Sequence, residues 1–457
     1  SIIMSINISP ETKVGKIQDG DVQKYLKGET DTYYIDDDSI TKENLKEYLD
    51  KSKFSIASNG VLYRTDTVGC IPGILDLWFQ KRVEYKDKMK KYGNAGDKEK
   101  YAFYHKRQLV QKILLNSLYG VLGLPAFRFY DVDNATAVTT TGQTVIKSTA
   151  DMANIKYNKE LGTPDLDSNI YIDTDSVFFS AVPLMDKRFP NWKDEEQVVI
   201  AGYVDDIAGE MQDYLNDFYD IMSEKIFNVD KDKHRLEIKK EYVAKAGLWI
   251  AKKRYAQWII SDNGVPCDKL DVKGLDVKRS SFPKAFQECM GKVLIDILKG
   301  VGEEELTEYV LDFKKNMENR PNSEIAKNTA VKNLKKYMPK GKRVPFTTMK
   351  GTPAHVKAAI AYNDLIKHFD VPFKYGPMVN GDKVKWVYLK NNPLGLDGLA
   401  FTGYNDPPEI EKFIETYIDR NKIFERELRF KLQDFYDAIG WGEMISEQKT
   451  AEKFFTF

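Results

Sequence analysis

The chain has 457 residues, 42% of them hydrophobic and 30% charged; this balance excludes a disordered polypeptide and supports a packed core, divided into about three domains at roughly 150 residues each. No apolar run reaches the roughly 18 residues a membrane helix needs, no signal-peptide pattern leads the chain, and a formal net charge of +0 gives no overall pull toward nucleic acid. Cys70, Cys267 and Cys289 are dispersed and odd in number and the 4 histidines are scattered, which excludes a disulfide framework and a histidine-rich zinc site and points to thiols in a reducing compartment.

The opening Ser1-Ile2-Ile3-Met4-Ser5-Ile6-Asn7 reads as the middle of a buried segment, a cut edge. Up to about residue 68, short apolar runs broken by Gly20, Gly28, Asp36-Asp37-Asp38 and Gly60 predict strands or hairpins, with one helix near 42–51. Ile74, Leu75, Trp78 and Phe79 then recur at helical spacing, predicting a helix that runs through Arg82 and Lys86 and breaks at Gly93-Asn94-Ala95-Gly96-Asp97. A second helix is predicted over 100–122. Two long helices about a short polar turn form an antiparallel hairpin that can swing as a unit. Arg82 and Lys86 lie four apart and share a face, as do Lys112, Asn116 and Tyr119. Three cations and an amide suit a triphosphate, with arginine for forked oxygen contacts and lysine as a point charge. Any one of them alone is more often an exposed position of an amphipathic helix; the combination is harder to explain that way.

From about 127 to 277 helix and strand alternate. Asp173-Thr174-Asp175-Ser176 lies between Ile170-Tyr171-Ile172 and Val177-Phe178-Phe179, predicting two short strands joined by a tight polar connection. Asp173 and Asp175 are two apart and can point to one side. Two such carboxylates repel unless a cation sits between them, and hard oxygen ligands suit magnesium. An Asp-X-Asp by itself is more often an ordinary turn. Lys252-Lys253-Arg254-Tyr255, with Tyr242 and Trp249 nearby, mixes charge with rings as backbone-tracking surfaces do. From 281 onward helices dominate, over 283–299, 303–317, 354–368 and 409–436, with a strand-like patch at 383–389. Lys332, Lys335, Lys336, Lys340, Lys342, Arg343, Lys350 and Lys357 have no acidic residue among them, so this stretch could track phosphates or form a solvated helix face. The tail, with Gln448 and then Phe454-Phe455 and Phe457, is costly to leave exposed.

The string Lys112-Ile113-Leu114-Leu115-Asn116-Ser117-Leu118-Tyr119-Gly120 resembles the fingers motif of family B DNA polymerases. Tyr171-Ile172-Asp173-Thr174-Asp175-Ser176 resembles their palm motif, and Lys252-Lys253-Arg254-Tyr255 their primer-template signature. Within the family the resemblance is strongest to replicative polymerases of T-even-type bacteriophages. It runs through Asn7-Ile8-Ser9-Pro10-Glu11-Thr12, through Phe127-Arg128-Phe129-Tyr130-Asp131 with Asn134-Ala135-Thr136-Ala137, and through Lys273-Gly274-Leu275. It implies an α+β fold of right-hand architecture: an antiparallel palm sheet at 1–67 and 127–280, a helical fingers hairpin at 68–126, and a mainly helical thumb at 281–457 with a clamp-binding tail. It implies a DNA-directed DNA polymerase using two magnesium ions, with Asp173 and Asp175 as metal-site carboxylates and Asp175 the more direct ligand. Arg82, Lys112 and Asn116, with Lys86 close by, would hold the incoming triphosphate. Tyr119 and Gly120 would line the nascent base pair, Thr174 would lie near the primer end, and Lys252, Lys253, Arg254 and Tyr255 would contact DNA. Gln448, Phe454, Phe455 and Phe457 resemble a peptide that docks on a sliding clamp, although Ala451 stands where an aliphatic residue is expected.

In this family another aspartate precedes a Ser-Leu-Tyr-Pro-Ser segment, and Ser1 resembles the final serine of that segment. The resemblance therefore implies the C-terminal portion of a polymerase, lacking the exonuclease domain and first palm motif and inactive without an N-terminal half that supplies the remaining aspartate. Either the polymerase is naturally split, a junction serine being what a split intein also needs, or the chain is an incomplete copy of a longer one. Expected partners are primer-template DNA, deoxynucleoside triphosphates, the N-terminal half and a sliding clamp, in the cytoplasm of an infected bacterium. The alternative is a non-catalytic DNA-binding remnant or scaffold subunit, against which the presence of Lys112, Asn116, Asp173 and Asp175 argues. A reverse-transcriptase-type enzyme would share the strand-Asp-X-Asp-strand element but not the string over 112–120.

Overall fold

Helices with one apolar stripe and short antiparallel strands build both halves of the chain, as expected of an α+β fold. The computed structural model describes residues 1–18, 24, 29, 31–35, 38–339, 344–371 and 374–444. The chain divides into two units, Ser1–Glu241 and Tyr242–Phe457. Gly20, Gly28, Asp36, Asp37, Lys340, Lys342, Arg343, Gln448, Ala451, Phe454, Phe455 and Phe457 lie outside the described residues.

The first unit begins with a single helical turn, α1 (Ile2–Ile6), where a strand was predicted. Ile3 and Ile6, three apart, bury one face of that turn, and Asn7 closes it in the left-handed region at φ 63. Strands β1 (Lys13–Lys16), β2 (Thr32–Ile35) and β3 (Asp38–Thr41) follow, then α2 (Lys42–Ser52), β4 (Phe54–Ile56) and β5 (Val61–Arg64). The antiparallel order is β1-β5-β4, with β2-β3 a separate hairpin. Leu45 and Leu49 of α2 pack with Tyr33, Ile56 and Leu62.

Next come α3 (Cys70–Asn94) and α4 (Lys98–Leu122), 25 residues each and so about 37 Å long. They form the predicted antiparallel hairpin. α3 starts earlier than the apolar spacing announced because Pro72 sits in its first turn, where no N–H is needed. At the tip Gly96 takes φ 71 and the Asp97 carboxylate accepts from the Lys100 N–H at 3.0 Å. Tyr92 and Tyr104 stack across the helices with centroids 5.5 Å apart. The foot enters a core of Ile3, Ile6, Ile8, Tyr63, Ile71, Leu75, Leu122, Ala137 and Phe227.

Beyond the hairpin, α5 (Val132–Leu161), α6 (Val182–Arg188) and α7 (Gln197–Ile226) pack around Ala153, Tyr157, Leu184, Met185, Ile207, Met211 and Leu215. Between α5 and α6 lies the hairpin of β6 (Asn169–Asp173) and β7 (Ser176–Phe179). It is held against α5 by Tyr157, whose hydroxyl donates to the Ser180 carbonyl at 2.7 Å and whose ring meets Phe179 edge-on. Arg188 ties the three helices together by bonding both Glu160 and Glu210.

In the second unit β8 (Tyr242–Ala251), β9 (Arg254–Asp262) and β10 (Val265–Lys273) form an antiparallel sheet in the order β10-β9-β8. Leu248 and Ala256 of this sheet share a core with α8 (Lys284–Leu298). That helix buries Ala285, Phe286, Cys289, Met290, Val293 and Leu294 as one stripe. Residues 242–280, expected with the palm, thus fall in the same unit as those expected of the thumb. α9 (Glu303–Asn316) and α10 (Ala354–His368) match their predicted spans. A second sheet, β11 (Lys327–Ala330), β12 (Lys383–Tyr388) and β13 (Gly398–Phe401), contains the strand-like patch as its centre. The single helix predicted over 409–436 is instead broken into α11 (Pro408–Tyr417), α12 (Arg420–Phe424), a π-turn over Glu425–Arg429 and α13 (Phe430–Ala438). Ile418 leaves the helix to bridge Leu389, and Asp419 restarts it by capping the Lys422 N–H. Among the described residues no helix is long and apolar enough to cross a membrane.

Candidate active site

Asp173 ends β6 and Ser176 begins β7, and the two are paired. Thr174 and Asp175 are therefore the whole connection. A two-residue hairpin turn matches the twist of its strands only with a positive φ, and Thr174 supplies it at φ 55. The Asp175 N–H donates to the Asp173 carbonyl at 2.6 Å, a contact across three residues that marks a γ-turn. Holding a β-branched residue there costs about 1–2 kcal/mol. The turn offsets this locally: the Thr174 hydroxyl donates to Asp173 Oδ1 at 3.0 Å and the Ser176 hydroxyl to the Asp173 carbonyl at 3.1 Å. Asp173 is half-buried and Asp175 exposed, so neither sits in a neutral core. Their hard oxygens suit magnesium, which takes one or two carboxylates plus substrate phosphates. Among the described residues no group of three or more His, Cys, Asp and Glu is arranged to hold a metal.

On the hairpin, heights follow from the rise per residue. Measured from the Tyr92–Tyr104 stack toward the foot, Lys86, Lys112, Arg82 and Asn116 lie about 9, 12, 15 and 18 Å along the paired helices. The two helices thus contribute alternate rungs of one ladder. Lys86, Lys112 and Asn116 are exposed. Arg82 is partly sunk, and its Nε is buried without a hydrogen-bond partner, as is Oε1 of Gln111 on the facing helix. Tyr119 is 38% exposed, and nothing lies within 4 Å of where a side chain on Gly120 would begin.

In the second unit Lys252 and Lys253 form the two-residue turn between β8 and β9, with Ala251 paired to Arg254 and Lys253 at φ 61. Both lysines are exposed. The other two residues of the signature face the protein: Arg254 pairs with Asp434 at 2.7 Å, while Tyr255 is 7% exposed and stacks on Trp249. Gly274 lies against this turn, at φ 66, with its α-carbon so close that a Cβ would come 2.0 Å from the Lys253 carbonyl oxygen. In the basic stretch Lys332, Lys335, Lys336 and Lys350 are exposed, whereas Lys357 reaches Asp397 at 3.8 Å.

Sequence reasoning missed Gln111, the backbone role of Thr174, and the contacts that Asn7, Ser9 and Glu11 make at the start of α3. One signal was available for Thr174: a two-residue hairpin connection without glycine or asparagine announces strain. Another was available for α3, whose N-cap Gly69 has no side chain to cap with.

The family model for DNA polymerase family B matches residues 1–188 and 206–392. Similar proteins include the DNA-directed DNA polymerase of Enterobacteria phage T4, 27% identical over 99% of this chain and 54% of that protein. The DNA-directed DNA polymerase of Escherichia phage RB69 is 28% identical over 96% of this chain and 52% of its own length. The DNA polymerase of Thermococcus gorgonarius is 26% identical over 68% of this chain and 34% of its own. The chain spans about half the length of the two phage proteins.

Proposed function

Because the chain belongs to DNA polymerase family B, we propose that it carries the nucleotide-binding and metal-binding part of a DNA-directed DNA polymerase that extends a primer at its 3′ end. The observation that carries this is the ladder of Lys86, Lys112, Arg82 and Asn116, three cations and an amide at successive heights on the paired helices. The Arg82 guanidinium would fork onto triphosphate oxygens through its terminal nitrogens. Lys112 and Lys86 add point charges, and Asn116 an amide, within the same unit as the Asp173–Asp175 turn. Asp173, oriented by the Thr174 hydroxyl, and Asp175 would hold magnesium, which when bound neutralises phosphate charge and activates the primer hydroxyl. Two carboxylates fall short of the set that holds two ions, so a further aspartate from outside Ser1–Phe457 completes it.

The Tyr119 ring and the bare backbone of Gly120 offer the nascent base pair a flat, small surface, and Thr174 lies toward the primer end. Lys252 and Lys253 track phosphates from the β8–β9 turn, while Arg254 and Tyr255 hold that turn in place. In this reading 1–67 and 127–280 are palm, 68–126 fingers and 281–457 thumb. The working partners are an N-terminal half with the exonuclease and, through Gln448, Phe454, Phe455 and Phe457, a sliding clamp in an infected bacterium.

The test is primer extension by the chain alone and after coexpression with the reading frame adjacent to its gene. The complex should extend a primer and the chain alone should only bind it. Asp175→Asn should abolish extension by the complex yet leave primer-template affinity within about twofold, a change of under 0.5 kcal/mol. Joint loss of extension and binding would count against a metal role. Duplex binding with no extension by any combination would establish the non-catalytic alternative.

A further inference from the structure

The first N–H groups of any helix lack partners inside it, and Gly69 has no side chain with which to cap α3. Another segment does so. Asn7 Oδ1 accepts from the Gly69 N–H at 2.9 Å, Glu11 Oε1 accepts from the Cys70 N–H, and Ser9 Oγ accepts from the Ile71 N–H at 3.3 Å. These three residues are themselves braced. Asn7 Nδ2 donates to the carbonyls of Arg64 and Thr67 at 2.6 and 2.7 Å. The Ser9 hydroxyl donates to Glu11 Oε2 at 2.7 Å, and the Thr12 hydroxyl to the Asn7 carbonyl at 2.5 Å. Partial desolvation pushes the Glu11 carboxyl up, but the Cys70 N–H and Ser9 hydroxyl outweigh it and hold it below the usual range. Its negative charge therefore stands at the positive end of the helix dipole. Even the glycine is dictated by this contact, since a Cβ on Gly69 would come 2.6 Å from Ser9 Cβ.

What makes the contact matter is that the rest of the anchorage lies toward the foot, where Trp78, Leu115 and Leu118 are partly buried against the same core. The buried residues of α3 are Ile71, Pro72 and Leu75, and that of α4 is Leu122, all at the foot. The hairpin is a cantilever. Arg82 lies about 18 Å beyond Cys70 along the helix axis, so a tilt of about 5° at the foot displaces it by roughly 1.6 Å. Misplacement on the order of 1 Å can cost as much as a hundredfold in a positioned reaction.

We propose that Asn7, Ser9 and Glu11 are positioning residues for the triphosphate site: by capping α3 from outside they set the pose of the helical hairpin, and so where Arg82 and Lys86 meet the phosphates. The proposal rests on the function given above. It is tested on the full chain by amide hydrogen exchange at Gly69, Cys70 and Ile71, together with equilibrium binding of a fluorescent deoxynucleoside triphosphate in the presence of magnesium. Loss of a cap acceptor in Glu11→Ala should speed exchange at Cys70 about tenfold and weaken triphosphate binding by about threefold or more. Glu11→Gln keeps an oxygen at the same N–H and should recover most of both. Lys112→Ala should weaken binding without altering exchange, as a direct contact would. Asn7→Ala should act as Glu11→Ala does; if it fails to fold, the Glu11 pair decides alone. Faster exchange with unchanged triphosphate affinity would overturn the proposal, as would unchanged exchange in Glu11→Ala. A wild-type chain that binds no triphosphate would instead overturn the function on which the proposal rests.

Discussion

Gly274→Ala probes the coupling between the end of β10 and the lysine turn of β8 and β9. The new Cβ would stand 2.0 Å from the Lys253 carbonyl oxygen, whereas a carbon–oxygen contact settles at about 3.3 Å. Roughly 1.3 Å must therefore open between two stretches of backbone, neither of which is the free end of a side chain. Overpacking of this kind costs about 1–3 kcal/mol. Because Gly274 also takes φ 66, an L residue adds about 1–2 kcal/mol for the left-handed conformation. The sum, about 2–5 kcal/mol, should lower the melting temperature of a unit of this size by roughly 4–20 °C. Calorimetry on the purified chain measures this. The same displacement moves Lys252 and Lys253, so primer-template affinity across a salt series should show a shallower slope, by about 1.8 if both phosphate contacts are lost. A variant that melts within about 1 °C of wild type would refute the steric reasoning. Lower stability with an unchanged salt slope would show that the lysine turn does not touch phosphates.

Gly120→Ala should do the opposite to stability. The position is helical and open, so alanine should stabilise the chain by about 0.5–1 kcal/mol, while raising the KM for deoxynucleotide in the assembled polymerase; destabilisation or an unchanged KM would count against the open site or its role. Arg188 provides a pH prediction. Hydrogen bonds from its guanidinium, more than Coulomb attraction, hold the Glu160 and Glu210 carboxyls below their ordinary value of 4.5. Because the folded values are depressed, the stabilisation is complete above about pH 4.5 and disappears as pH falls through the lower folded values. Arg188→Met should thus cost about 1–2 kcal/mol near pH 7, allowing for partial exposure, with a gap in melting temperature that closes as the pH falls below the ordinary carboxyl value of 4.5. A gap independent of pH would assign the loss to packing.

Elements with their own signal matched their predictions. α10 was legible at both ends because Pro353 precedes it and its apolar positions recur at helical spacing. The helical hairpin was legible because Gly93 to Asp97 interrupts the helical spacing, although Gly93 and Asn94 still belong to α3. The failures lie where a distant partner intervenes. Ile418 breaks what reads as one helix because it pairs with Leu389. β11 and β13 have only 4 residues each and acquire strand character from β12 between them. α1 turns because Ile3 and Ile6 enter the core with Ile71 and Phe227.

The candidate site divides in the same way. Residue type and spacing alone determined that Asp173 and Asp175 belong to a tight connection between two short strands and that Arg82, Lys86, Lys112 and Asn116 ride on two facing helices, since apolar runs bounding a polar tetrad and a period of 3.6 residues are both local signals. Tertiary structure alone decided that Gly274 abuts the lysine turn and that α3 is capped by Asn7, 62 positions from Gly69. Local periodicity is written in neighbouring residues; a hydrogen bond or a steric contact depends on the distance between segments, which exists only once the chain has folded.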